Sequence, residues 1–254
     1  MKSRIALRIF DVLEFNKLIY YRYIKKLHTP HLIYNLNAQK IINNLPGQPK
    51  GNRKFKTIID VGASDGDFIQ ASRYLNNGVN IYAFEPQPWL INNLNKLNDN
   101  NFNIALGDKN EIRDFYIRKS QRDSSSLYNI KNFFKNEEIN KIQVQVKRGD
   151  EIKIEYVKPV LLKIDVESFE YEVLRGFGDK LKEVDIIIIE LFLANQFKDI
   201  FKKFSKIVDL LSKYGFTSFL QKEIGYRNDY PLTDEIAGAC DIIFYKCDIS
   251  KSAI

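Results

Sequence analysis

Histidine is nearly missing from this 254-residue chain: His28 and His31 are the only two, and both precede the main body of the sequence. A histidine base, or a histidine-rich metal site, is therefore not expected in that body. Cysteine is equally scarce. Cys240 and Cys247 match no metal or redox spacing and read as reduced residues of a late strand pair, which fits a cytoplasmic protein. No apolar run is long enough to cross a bilayer. Charges interrupt every N-terminal apolar run before it reaches signal-peptide length.

Acidic residues are missing from one end only. Residues 1–56 carry twelve Lys and Arg against Asp11 and Glu14, a balance of +10, whereas residues 57–254 hold 27 basic and 30 acidic residues, a balance of −3. The net charge of +7 thus belongs to the N-terminal segment. A near-neutral remainder offers no broad electrostatic face for nucleic acid, so none is expected as a partner.

Within residues 1–40, Ala6, Ile9, Phe10, Leu13, Tyr20, Ile24 and Leu27 recur at helical spacing among basic residues. Such a helix can pack on the domain, make a homo-oligomer contact, or lie on an anionic membrane surface. Pro46, Gly47, Pro49 and Gly51 form a breaker-rich link. The expected organisation is a basic helical extension over 1–50 and one domain over 51–254, a length that can bury a sizeable core.

The most informative stretch runs from Thr57 to Glu85. An apolar run ends in Asp60, passes through a turn holding Gly62, Ala63, Ser64, Asp65 and Gly66, and enters a helix; a second apolar run, Val79 to Phe84, ends in Glu85. This is the layout of an adenosine site at the carboxyl edge of a parallel sheet. Gly62 lets the chain turn and a ligand approach the backbone, the first-turn amides of the helix face the ligand, and Glu85 takes the ribose hydroxyls. Ser64 and Asp67 stand where a dinucleotide fingerprint has its second and third glycines. Two acids, Asp65 and Asp67, would repel a pyrophosphate, so the spacing favours S-adenosylmethionine over NAD. Phe68 can pack on the methionine tail or serve the core.

Further along, strands and helices alternate as in a parallel sheet. Strands are expected near 57–61, 79–84, 102–105, 160–166 and 184–191, helices over 65–76, 88–97, 168–174 and 196–214, and a closing antiparallel pair at 216–220 and 241–246. Residues 111–147 break the alternation and read as an antiparallel insertion over the carboxyl edge of the sheet. It carries a polar loop with Ser124, Ser125 and Ser126. Asp60, Glu85, Asp108, Asp165, Glu167 and Glu190 all fall at strand ends, where open α/β sheets bind ligands.

Four segments in series carry a resemblance. AFEPQP (Ala83 to Pro88), IALGD (Ile104 to Asp108), LLKIDVESFEYEVLRGF (Leu161 to Phe177) and IIIIEL (Ile186 to Leu191) resemble the FkbM-type family of S-adenosylmethionine-dependent methyltransferases. The likeness covers about Thr57 to Leu191. It implies an α/β class I methyltransferase fold: a Rossmann-like, seven-stranded, mostly parallel sheet with helices on both faces. It also implies methylation of sugar or natural-product hydroxyls. Asp60 to Gly66, Glu85 and Pro86 would hold the cofactor, and Ala105, Leu106 and Asp108 would edge the adenine. Where many relatives carry glycine after the acid of the third segment, this chain has Ser168 followed by Phe169, which bears on the acceptor pocket.

Lys163, Asp165 and Glu167 alternate along one strand and its exit, so they project the same way. Methyl transfer to a hydroxyl removes its proton, so Asp165 or Glu167 is a candidate base and Lys163 a candidate for stabilising the alkoxide. A structural ion pair between Lys163 and one of these acids is the other reading. Asp165, Glu170 and Glu190 could share a divalent cation; the sequence leaves a metal open. The expected activity is O-methylation of a sugar or glycan. The alternatives are a lipid-linked or polyketide-type acceptor at a membrane surface, or a non-catalytic methyltransferase-like module.

Overall fold

The computed structural model describes residues 29–44, 53–119, 125–129, 131, 138–193, 197–226 and 238–246. The stretch from Ala6 to Leu27, the link at 46–51, Ser124 and Cys247 lie outside the described residues.

Isoleucine-rich runs build the centre of the molecule. Strands β1 (Thr57–Val61) and β7 (Val160–Ile164) are buried along their whole length, and in β8 (Ile186–Leu193) the run Ile186–Ile189 is buried too. Near-continuous apolar runs are what strands covered on both faces require. With β2 (Asn80–Phe84), β3 (Asn100–Phe102), β9 (Phe216–Tyr226) and β10 (Gly238–Lys246) they form a seven-stranded sheet in the order β3-β2-β1-β7-β8-β10-β9. All pairings are parallel except those of β10, which runs against both β8 and β9. Strand order reverses between β1 and β7, so the crevice at their carboxyl ends is the natural ligand position.

Alternation along each strand divides the core in two. Ile58, Ile81, Leu161, Ile186, Ile188 and Ile243 face a layer made by α1 (Thr29–Asn44), α2 (Asp67–Leu75) and α3 (Pro88–Leu97). Ile59, Val61, Phe84, Leu162, Ile164 and Ile189 face α4 (Glu170–Phe177) and α5 (Phe197–Ser212). Helix α1 falls within the segment expected to be an extension. Its buried Ala38 and Ile42, four residues apart, join the first layer, and Gln39 Nε2 donates to Asn76 Oδ1 at 3.0 Å. A boundary at residue 50 therefore cuts away a helix of the sheet's own layer. No helix of the described residues is long and apolar enough to cross a membrane.

Helix α3 begins with Pro88 in its first turn, where no amide is needed. The asparagine-rich stretch after it closes the sheet edge: Asn98 Nδ2 donates to Ile81 O at 3.0 Å and Asn100 Nδ2 to Asn80 Oδ1 at 2.9 Å.

The strand expected at 102–105 is two strands. β3 ends at Phe102, and β4 (Ala105–Gly107) joins a second, three-stranded sheet in the order β4-β6-β5, with β5 (Glu111–Arg118) antiparallel and β4 parallel to β6 (Ile139–Arg148). The two strands of the insertion, β5 and β6, are antiparallel as expected, and β4, from before the insertion, adds a parallel edge to them. Gly176 lies inside α4, which runs past the expected helix end at 174. A β-carbon there would meet Gly107 O at 1.9 Å, so it is the close approach of α4 to β4 that requires the glycine. Gly178, at φ 48°, follows the end of the helix.

Candidate active site

The turn after β1 is built for tight reversal: Gly62, Ser64 and Gly66 have φ of 83°, 47° and 93°. A β-carbon on Gly62 would lie 1.9 Å from Asp165 O. The close approach inferred from the sequence is made by the chain itself, at the β7 exit. Helix α2 starts at Asp67, with Gly66 as its N-cap, and not at Asp65.

Glu85 ends β2 and is buried. Its Oε2 accepts the Ser64 amide at 2.9 Å, and its Oε1 accepts the Gln87 amide at 2.9 Å. The acid therefore ties the cofactor turn to the segment holding Pro86. Each oxygen keeps a further lone pair, enough for a vicinal diol. Burial pushes the Glu85 carboxyl up to about 7, against the opposing pull of those amides.

Asp60 stands in register with Lys163 on the neighbouring strand, on the face that also carries Phe68. The carboxyl is fully buried, and neither oxygen has a hydrogen-bond partner of good geometry among the described residues. Lys163 Nζ lies 3.4 Å from Oδ1. Burial raises Asp60 to about 6, and Lys163 holds it down. Buried carboxylate oxygens seldom lack a well-formed hydrogen bond, and beside the Lys163 ion pair these two suit a further cationic donor such as an α-amino group.

Lys163 is itself committed. Its ammonium is 3.1 Å from Asp165 Oδ2 and donates to Gly62 O at 3.1 Å, and it sits 5.4 Å above the Phe68 ring. Burial opposes its charge, but Asp165 and Asp60 outweigh it and raise the pKa. Three donors with three partners leave none for an alkoxide; this is the structural ion-pair reading of Lys163. Phe68, at 1% exposure, is a core residue beneath that cation.

Asp165 directly follows β7, whereas Glu190 lies within β8, one residue past its last pairing with β7, and is directly opposite Asp241 of β10. The Asp165 charge, then burial, then Asp241 and Glu167 raise Glu190 well above the usual carboxylate range. Glu170 does not join them. It is buried, its Oε1 accepts the Ser168 amide at 2.7 Å, and its Oε2 lies 3.9 Å from Lys203. The cation set of Asp165, Glu170 and Glu190 does not assemble, and among the described residues no group of three acids, histidines or cysteines is placed to hold a metal.

Asp108 is drawn elsewhere too. Arg175 lies 3.0 Å from its Oδ2, and Arg148 donates to its carbonyl at 2.9 Å. Ala105 and Leu106 are buried in the second sheet. The residue that reaches the second strand end is Asn103, whose Nδ2 donates to Glu85 O at 2.9 Å. Sequence reasoning missed it, although its position just past β3 was the available signal. Also missed were Gln87, whose amide holds Glu85, and Lys203, whose ammonium lies 4.9 Å from the Tyr128 ring. Trp89, on α3, is exposed.

Among solved structures, the chain is similar to methyltransferase FkbM from Methylobacillus flagellatus (14% identity, TM-score 0.43, covering 75% of this chain and 44% of that one). It is also similar to a precorrin-6y C5,15-methyltransferase from Geobacter metallireducens (11%, TM-score 0.40, 85% and 87%). A third is TYW2 from M. jannaschii in complex with AdoMet (12%, TM-score 0.41, 84% and 76%). The chain spans less than half the length of the first of these. No curated protein matches it. The profile of the methyltransferase FkbM domain matches residues 60–218, from Asp60 to the start of β9. With a seven-stranded class I sheet beneath that match, the chain belongs to the FkbM methyltransferase family.

Proposed function

We propose that this protein is an S-adenosylmethionine-dependent O-methyltransferase acting on a hydroxyl of a sugar or glycan. The observation that carries the reading is Asp60: a fully buried carboxyl held by the Lys163 ion pair at 3.4 Å but with no hydrogen bond of good geometry on either oxygen, beside a turn whose next acid, Glu85, keeps lone pairs for a diol. These residues fit an amino-acid tail and a ribose. Asp60 and the turn through Gly66 would hold the tail, and Glu85 the ribose hydroxyls. When bound, the cofactor supplies a methyl group on a sulfonium centre.

Asp165 and Glu167 lie at the carboxyl edge on the acceptor side of that turn. A carboxylate there takes the hydroxyl proton as the oxygen forms its bond to carbon. Lys163, 3.1 Å from Asp165 Oδ2, holds that carboxylate in place, and much of the remaining acceleration comes from alignment of the reacting atoms. The oxygen acceptor is favoured by this base, and the sugar class rests on family analogy. The protein works in the cytoplasm, where the cofactor is made, and its N-terminal segment serves a homo-oligomer or peripheral membrane contact.

The test begins with calorimetric titration by S-adenosylhomocysteine, with NAD⁺ as control. Methyl-labelled S-adenosylmethionine is then offered with free hexoses, 6-deoxyhexoses and nucleotide-linked hexoses. Binding of the homocysteine compound and label on a sugar oxygen are expected. Binding without turnover on any hydroxyl would instead mark a non-catalytic module.

A further inference from the structure

Two consecutive residues without the freedom of glycine, Glu167 and Ser168, have φ of 50° and 82°. Side chains resist this region, and such a pair persists only where its surroundings over-determine it. Three groups from three elements do so. Ser126 of the insertion donates its hydroxyl to Glu167 O, Lys203 of α5 donates to Ser168 O, and Glu170 of α4 accepts the Ser168 amide at 2.7 Å.

Ser126 is held independently of its hydroxyl. Its backbone exchanges both hydrogen bonds with Tyr116 of β5, at 2.8 and 3.0 Å, and the side chain is fully buried. The hydroxyl oxygen also accepts the Tyr128 amide at 3.0 Å. The insertion is thereby stapled, through one hydroxyl, to the turn that directly follows Asp165.

We propose that Ser126 is a positioning residue for methyl transfer: its hydroxyl holds the Glu167–Ser168 turn in its left-handed geometry and so sets the edge where the acceptor meets Asp165 and Glu167. The proposal rests on the O-methyltransferase reading above.

The experiment compares wild type, Ser126→Ala, and Ser126→Ala combined with Ser168→Gly, all as the full chain. Amide exchange of the peptide spanning 166–170 should accelerate about tenfold in Ser126→Ala, the effect of one lost hydrogen bond. Turnover on the panel sugar that wild type methylates should fall, while S-adenosylhomocysteine affinity holds. Glycine adopts positive φ without help, so Ser168→Gly should restore turnover in the Ser126→Ala background. Unchanged exchange, faster exchange with unchanged turnover, an equal loss of cofactor affinity, or no rescue by glycine would each overturn the proposal. Should wild type methylate no panel sugar, the functional reading falls, and exchange alone then decides whether Ser126 holds the turn.

Discussion

The carbonyl oxygen of Asp165 lies 1.9 Å from the position a β-carbon on Gly62 would occupy. The two ends of the site, cofactor turn and candidate base, are therefore packed backbone to backbone. Gly62→Ala meets both that carbonyl and the cost of φ 83°. A loss of about 2–5 kcal/mol is expected from left-handed strain and overpacking together. Urea denaturation measures it, and a loss confined to cofactor affinity would show that the glycine serves the ligand and not the fold.

Lys163 separates Asp60 from Asp165. Lys163→Met leaves two buried or half-buried acids without their cation, for which about 3–5 kcal/mol of destabilisation is expected at pH 8. Asp60 titrates at about 6 in the native protein. Protonating it relieves the unpaired charge, so the deficit should shrink at pH 5. A deficit independent of pH would mean that packing, not charge, was lost.

Asp60 and Glu85 are raised from 3.8 to about 6 and from 4.5 to about 7. Between those limits the folded chain keeps protons that the unfolded chain has released, so these groups contribute stability that is present below pH 4 and lost as pH rises to 7. Cofactor binding runs the other way. It needs both acids ionised, so S-adenosylhomocysteine should bind more tightly as pH rises from 5.5 to about 8. Calorimetry across this range gives the slope, and Glu85→Gln should flatten its upper part.

Glu85→Ala removes the acceptor of a ribose diol and frees the Ser64 and Gln87 amides. Affinity for S-adenosylhomocysteine should drop by about 1.5–3 kcal/mol, the worth of hydrogen bonds to a charged group. A change well below this range in the titration would move the ribose away from Glu85.

Asp165→Asn keeps the shape and removes the base. Turnover should fall about 10²–10⁴-fold, the usual contribution of a positioned base, with cofactor affinity nearly unchanged. Unaltered turnover would pass the role to Glu167, and Glu167→Gln is the variant that decides it.

The layout of the main sheet was legible because each of its strands has a local signature. Thr57–Val61 and Pro88–Leu97 fall where patterning and the proline placed them. The strand expected at 102–105 was misread because Phe102 and Ala105 belong to different sheets, and a change of partner leaves no trace in hydropathy. Glu170 was read as a possible cation ligand beside Asp165, and Asp108 as facing the site because it follows a strand end. Ion pairs with Lys203 and Arg175, remote in sequence or one helix away, claim them instead.

The sequence alone determined the elements and the family, because strand periodicity, turn glycines and acids at strand ends are local features that a one-dimensional pattern preserves. Tertiary structure decided the partners. That Lys163 is spent on Asp60, Asp165 and the Gly62 carbonyl follows from two strands lying side by side in register. That Ser126 reaches Glu167 follows from β5 holding a distant loop over the β7 exit. Hydrogen bonds and ion pairs act over a few ångströms, and only the fold brings residues forty or a hundred positions apart within that reach.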